Sequence, residues 1–180
     1  MTDSREPTKE EKIADALRAA PAYIADSATV LDWDMTTVLR EGSPDWSCVP
    51  TAPGKPQPAP MCLDPIFLQW FREFEQGKTP TIDRIGISYM LLGEAGADFD
   101  NPKATQPPEG KDWYHAGPHV MFVFPEHTGH ILQGLAHDTT SGLPYVRPIP
   151  GAEPLLVVPI AQPGQRACGC RSDCSCGCND

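Results

Sequence analysis

Proline constrains this chain more than any other residue. There are 21 in 180 positions, about twice the usual share of ~5%. Each proline fixes its own φ and removes a backbone donor. Long helices are therefore not expected. The densest stretch, Pro50 to Pro60, holds five prolines in eleven residues. It predicts an extended, polyproline-like connector rather than a ladder or a helix. Two helices fit between the prolines. The first is capped by Thr8, with Glu11 three residues on as the return arm of a capping box. It places Ile13, Ala16, Leu17 and Ala20 on one face and stops at Pro21. The second has Asp64 as N-cap and Pro65 at the first helical position. Ile66, Phe67, Trp70, Phe71 and Phe74 make its core stripe, and Gly77 supplies a left-handed end.

The remaining apolar segments read as strands. Residues 28–49 predict strands broken by turns. Across 81–92, Ile85, Ile87, Tyr89 and Leu91 face one way, and Arg84, Gly86, Ser88 and Met90 the other. His119–Pro125 predicts a buried strand, and 131–135 a short helical turn. Tyr145–Ile149 and Leu155–Ile160 predict two strands joined across 150–153. The expected fold class is α+β: a mainly antiparallel sheet with two short helices and Pro-rich loops. A single domain spans 8–161, after a disordered start at 1–7. A linker covers 162–167, and 168–180 is an unstructured Cys-rich tail. The loop over 93–112 is long enough to suggest a function. Its Asp98, Asp100 and Asn101 match a calcium loop poorly, with no turn glycine and no closing glutamate.

Charge and hydropathy exclude some classes. The net charge of −10 argues against nucleic acid, which needs basic stripes to displace counterions. No apolar run approaches the roughly 20 residues that cross a bilayer. The polar, charged first twelve residues lack the apolar stretch of a secretory signal. The expected location is therefore cytoplasmic, where thiols stay reduced. A cysteine cluster there points to metal or redox chemistry rather than a disulfide framework.

Five of the seven cysteines lie between Cys168 and Cys178. They are Cys168, Cys170, Cys174, Cys176 and Cys178, separated by Gly, Arg, Ser and Asp. Nothing in this stretch is apolar enough to fold alone. Metal binding can supply the missing free energy. In Cys-x-Cys density and in lacking aromatic residues, the tail resembles the metallothioneins. That resemblance implies a soft ion, with each of the five thiolates a ligand. Four protein ligands satisfy one zinc, so five cysteines hold one Zn(II) and not two. Thiolates equally select Cu(I); Cd, Hg and As rank behind. The function this predicts is soft-metal binding, buffering or detoxification. The folded domain would then serve as an oligomerisation unit, a docking unit or a second site. An alternative is a precursor of a Cys-rich modified peptide, with residues 1–167 as its leader.

The five histidines, at 115, 119, 127, 130 and 137, fall within 23 residues. His119 and Met121 share a strand face. They make a soft His/Met pair, and with Cys62 a candidate second metal site of the kind that suits copper; Cys62, Met61 and Met90 join only if the fold gathers them. A structural role for His119, with the other histidines in solvent, is the preferred reading. An enzyme would use Cys62 as nucleophile, His119 as base and Asp64 as orienter, in a hydrolase or redox centre. Asp64 is better explained as a helix cap, so catalysis ranks below metal binding. Trp46-Ser-Cys48-Val-Pro50, Pro60-Met-Cys62-Leu-Asp64, Gly86–Leu91 and Gly117-Pro-His119-Val-Met121 resemble a group of uncharacterised bacterial proteins. The resemblance covers roughly 22–160. It implies no activity, but it singles out Cys48, Cys62, Asp64 and His119.

Overall fold

The computed structural model describes residues 5–97, 107, 109–110, 114–137 and 142–160. The chain begins with α1 (Lys9–Ala16), a 3-10 turn (Leu17–Ala19) and α2 (Ala22–Ala25). Strands β1 (Ala28–Leu31), β2 (Val38–Arg40), β3 (Ser43–Val49) and β4 (Met61–Leu63) follow, then α3 (Pro65–Glu75). After it come β5 (Gly86–Met90), β6 (Glu94–Ala97), β7 (Tyr114–Ala116) and β8 (His119–Val123). A second 3-10 turn (Gly129–Leu132), β9 (Tyr145–Arg147) and β10 (Leu155–Pro159) close the described chain. Eight strands form one sheet in the order β2-β1-β3-β4-β5-β8-β10-β9, and β6 pairs with β7 apart from it. Every pair in the large sheet is antiparallel except β1 with β3. The class is α+β, as expected, with a third helix that the sequence reading lacked.

Local signals explain the helices. Thr8 and Glu11 form the capping box reciprocally. The chain leaves the helical path at Ala20, just before Pro21. It then re-enters for a single turn, because proline is tolerated at the start of a helix. Asp64 caps α3, its Oδ1 accepting from the Phe67 N–H at 2.6 Å. Its Oδ2 accepts from the Ile87 N–H at 2.9 Å, so one carboxylate ties α3 to β5. Burial raises the Asp64 pKa, while these backbone donors pull it down. Gly77 adopts φ +71° at the end of α3. The stretch 50–60 enters no strand or helix.

The two faces of the sheet carry different cores. α3 covers one face, with Phe67 and Trp70 packed against Leu63, Val123 and Val157. Each fully buried side chain of this size contributes about 1.5–3 kcal/mol. The helix lies so close that a Cβ on Gly86 would sit 2.6 Å from the Phe67 nitrogen. On the other face, Ala16, Ala19, Ala20 and Ile24 of the N-terminal helices pack over Val30, Cys48 and Cys62. Farther along it, Leu132 of the second 3-10 turn covers Phe124 and Val146. Lys12 is unexpectedly buried. Its Nζ reaches Asp32 at 3.0 Å and lies 3.8 Å from the centre of the Trp33 ring.

Candidate metal centre

The sheet register decides which sequence candidates meet. Residues directly opposite on neighbouring strands share a face. Met90 faces His119 across β5 and β8. Cys62 faces Tyr89 across β4 and β5, which puts Met61 opposite Met90. Val49 in turn faces Met61. One row on the α3 side therefore reads Val49, Met61, Met90, His119. Met121 stands on the same face two residues beyond His119, opposite Ser88. Cys62 lies on the other face, beneath the N-terminal helices.

Cys62 is also bonded. Cys48 and Cys62 face each other across β3 and β4 and form a disulfide. This geometry corrects two expectations. The set of His119, Met121 and Cys62 is not assembled, because a sheet separates the sulfur from the other two. The Cys62, His119 and Asp64 centre is not assembled either. Cys62 has no thiol to ionise while bonded, and Asp64 is committed to the backbone amides of Phe67 and Ile87.

His119 is 1% exposed. Its Nδ1 lies 2.7 Å from the carbonyl oxygen of Gly117. A carbonyl only accepts, so Nδ1 carries the hydrogen and Nε2 of the neutral ring keeps a bare lone pair. Burial holds the His119 pKa below its ordinary value, against the pull of the Gly117 carbonyl and the Glu94 charge. Nε2 finds no hydrogen-bond partner among the described residues. A buried polar atom left so costs about 1–3 kcal/mol. A charged pair stands close by: Arg147 Nη1 donates to Glu94 Oε2 at 2.9 Å, with both side chains largely buried. The Arg147 guanidinium lies 5.0 Å from the centre of the Tyr114 ring, and the Tyr114 and Tyr145 hydroxyls hydrogen-bond to each other.

A cavity of about 530 Å³ opens on this face. Met35, Met61, Met90 and Met121 all line it, together with Trp33 and Trp70. These are all the methionines of the chain apart from Met1. Sequence reasoning named Met61 and Met90 only as conditional partners and missed Met35. Period-2 alternation put Met90 and Ser88 on one face, but pairing between strands is not written in that period. His115, His127, His130 and His137 are exposed. Among the described residues no three of His, Cys, Asp and Glu gather as a metal cluster. Cys168, Cys170, Cys174, Cys176 and Cys178 lie outside the described residues, as do Asp98, Asp100 and Asn101. No helix among the described residues is long and apolar enough to cross a membrane. No family model, curated protein or solved structure matches this chain.

Proposed function

We propose that the protein binds soft metal ions through the thiolates of Cys168, Cys170, Cys174, Cys176 and Cys178. The observation that carries this reading is the division of the cysteines. Cys48 and Cys62 take each other in the folded domain. That leaves the five tail cysteines as a separate set in Cys-x-Cys spacing. Five thiolates suit one Zn(II) with about four ligands, or bridged Cu(I) in larger number. The bonded pair favours assembly in an oxidising setting, against the reduced cytoplasm expected from the polar start. Zinc binding needs only that the tail thiols be free. The peptide-precursor reading rests on the same tail residues, and no structural observation favours it.

Native mass spectrometry of the full chain tests the proposal. The chain is titrated anaerobically with Zn(II), and separately with Cu(I). The expected result is one Zn(II) per chain, lost when all five tail cysteines become serine. A parent chain that takes up neither ion overturns the reading.

A further inference from the structure

We infer that the α3-facing side of the sheet holds a second soft-metal site, in which the thioethers of Met61, Met90 and Met121 and the Nε2 of His119 share one monovalent ion of the Cu(I) type. This deepens the soft-metal reading of the tail and rests on it for its purpose, but it uses none of the tail's ligands.

Position is the first support. Met61, Met90 and His119 occupy one row across three adjacent strands. Neighbouring strands lie about 4.8 Å apart, so the row spans about two such spacings. Methionine has three rotatable bonds and a polarisable sulfur, which lets the flanking thioethers converge on the imidazole. Met121 closes the set from the next position on the His119 strand. The second support is the state of the imidazole. A metal-bound histidine usually donates its other N–H to a carbonyl or a carboxylate, which fixes the ring. His119 already makes that bond, to Gly117, and its remaining nitrogen is buried without a partner among the described residues. Four methionines would suffice to fill an apolar core. They do not account for a buried, unpartnered acceptor on a residue that pairs with Met90 across the sheet and shares its strand face with Met121.

The donor set also selects the ion. All four donors are neutral, and three are soft thioethers. Soft sulfur ligands select Cu(I), whereas Zn(II) is held by thiolate, imidazole or carboxylate. The nearby carboxylate of Glu94 is engaged by Arg147, so the local charge is balanced without the ion. A single positive charge is then far easier to bury than a double one. Cu(I) also tolerates few ligands and no water, which suits flanking side chains only 3% and 5% exposed at Met90 and Met121. Three of the four proposed ligands, Met61, Met90 and Met121, line the cavity on this face.

Ag(I) is the probe, because it mimics Cu(I) without a reductant that would open the Cys48–Cys62 bond. The protein is the full chain with its five tail cysteines changed to serine. Calorimetry and native mass spectrometry should show one Ag(I) per chain. Methyl resonances of Met61, Met90 and Met121 and the ring resonances of His119 should shift together. The double variant Met61→Leu/Met90→Leu conserves volume and should weaken Ag(I) at least about tenfold, the usual scale for a disturbed metal site. Met35→Leu should leave the affinity unchanged. Absence of Ag(I) binding, or binding that shifts none of these resonances, overturns the inference, and so does an affinity unchanged by the double variant. The resonance shifts are read on the unsubstituted sheet, so they decide even if the double variant folds poorly. Failure of the tail proposal appears separately, as a parent chain that binds no more ions than its serine variant.

Discussion

Replacing both domain cysteines tests the account of the fold most directly. Cys48 and Cys62 close a loop with a sequence separation of 14. In the chain-entropy model, a crosslink over a loop of about 15 residues stabilises by about 3 kcal/mol. This loop contains five prolines. Each already narrows the conformations of the unfolded chain, so part of that entropy is absent before the bond forms. The expected loss for Cys48→Val/Cys62→Val is therefore about 2–3 kcal/mol. Valine keeps the paired positions apolar and β-branched, which suits adjacent strands. For a chain of this size the loss corresponds to a melting point lower by roughly 4–12 °C. Urea unfolding without reductant, in the background with five tail serines, measures it. The midpoint should fall and the slope should rise, because the uncrosslinked unfolded state exposes more surface. A loss below about 1 kcal/mol with an unchanged slope would refute the reasoning. Two reactive thiols in the denatured, unreduced chain would refute the bond itself.

Two further outcomes follow from the same structure. Gly86→Ala forces a methyl to within 2.6 Å of the Phe67 nitrogen and 2.7 Å of the Val123 side chain. The backbone atom is unable to yield cheaply, so thermal melting should report a loss of about 1–3 kcal/mol; a neutral result would mean that α3 does not sit on β5. The third concerns acid. Asp34 accepts from the Thr37 hydroxyl and from the Thr37 and Thr36 amides, which hold its pKa well below the ordinary carboxylate value. A depressed folded pKa gives stability that is full above the unfolded value of about 3.9 and fades as pH falls through the folded one. The stability difference between wild type and Asp34→Asn should therefore be constant above about pH 5 and shrink below about pH 4. A difference that grows on acidification would show that the loop bonds are not made.

The sequence disclosed what is local. Thr8 with Glu11, Asp64 with Pro65, and Gly77 each act within a few residues, and each signal has its structural counterpart. Alternation along β5 separated Ser88 and Met90 from Ile87 and Tyr89 for the same reason. It did not say which set faces a helix, and the set with the smaller side chains is the one beneath α3. Pairing was the illegible part. Whether Cys62 meets Cys48 or His119 depends on strand order and register, which are set by residues far away in the chain. A one-residue slip would carry Cys62 to the opposite face. The sequence reading grouped Cys62 with His119 by residue type, and the register separates them.

That separation bears on the chemistry the protein can carry. A free thiol beside His119 would compete with the thioethers for a soft ion and would oxidise beside bound copper. The register instead places both domain sulfurs with hydrogen-bonding or redox potential under the N-terminal helices, bonded to each other. The proposed set on the α3 face consists of thioethers and one imidazole, ligands that form no disulfides, with the neighbouring Glu94 carboxylate engaged by Arg147. Thioethers carry no proton to lose, so a site built mainly from them binds without the deprotonation that thiolates require. A tail of thiolates needs it, since each must be deprotonated to bind. Two soft sites of this kind on one chain would thus differ in their response to pH.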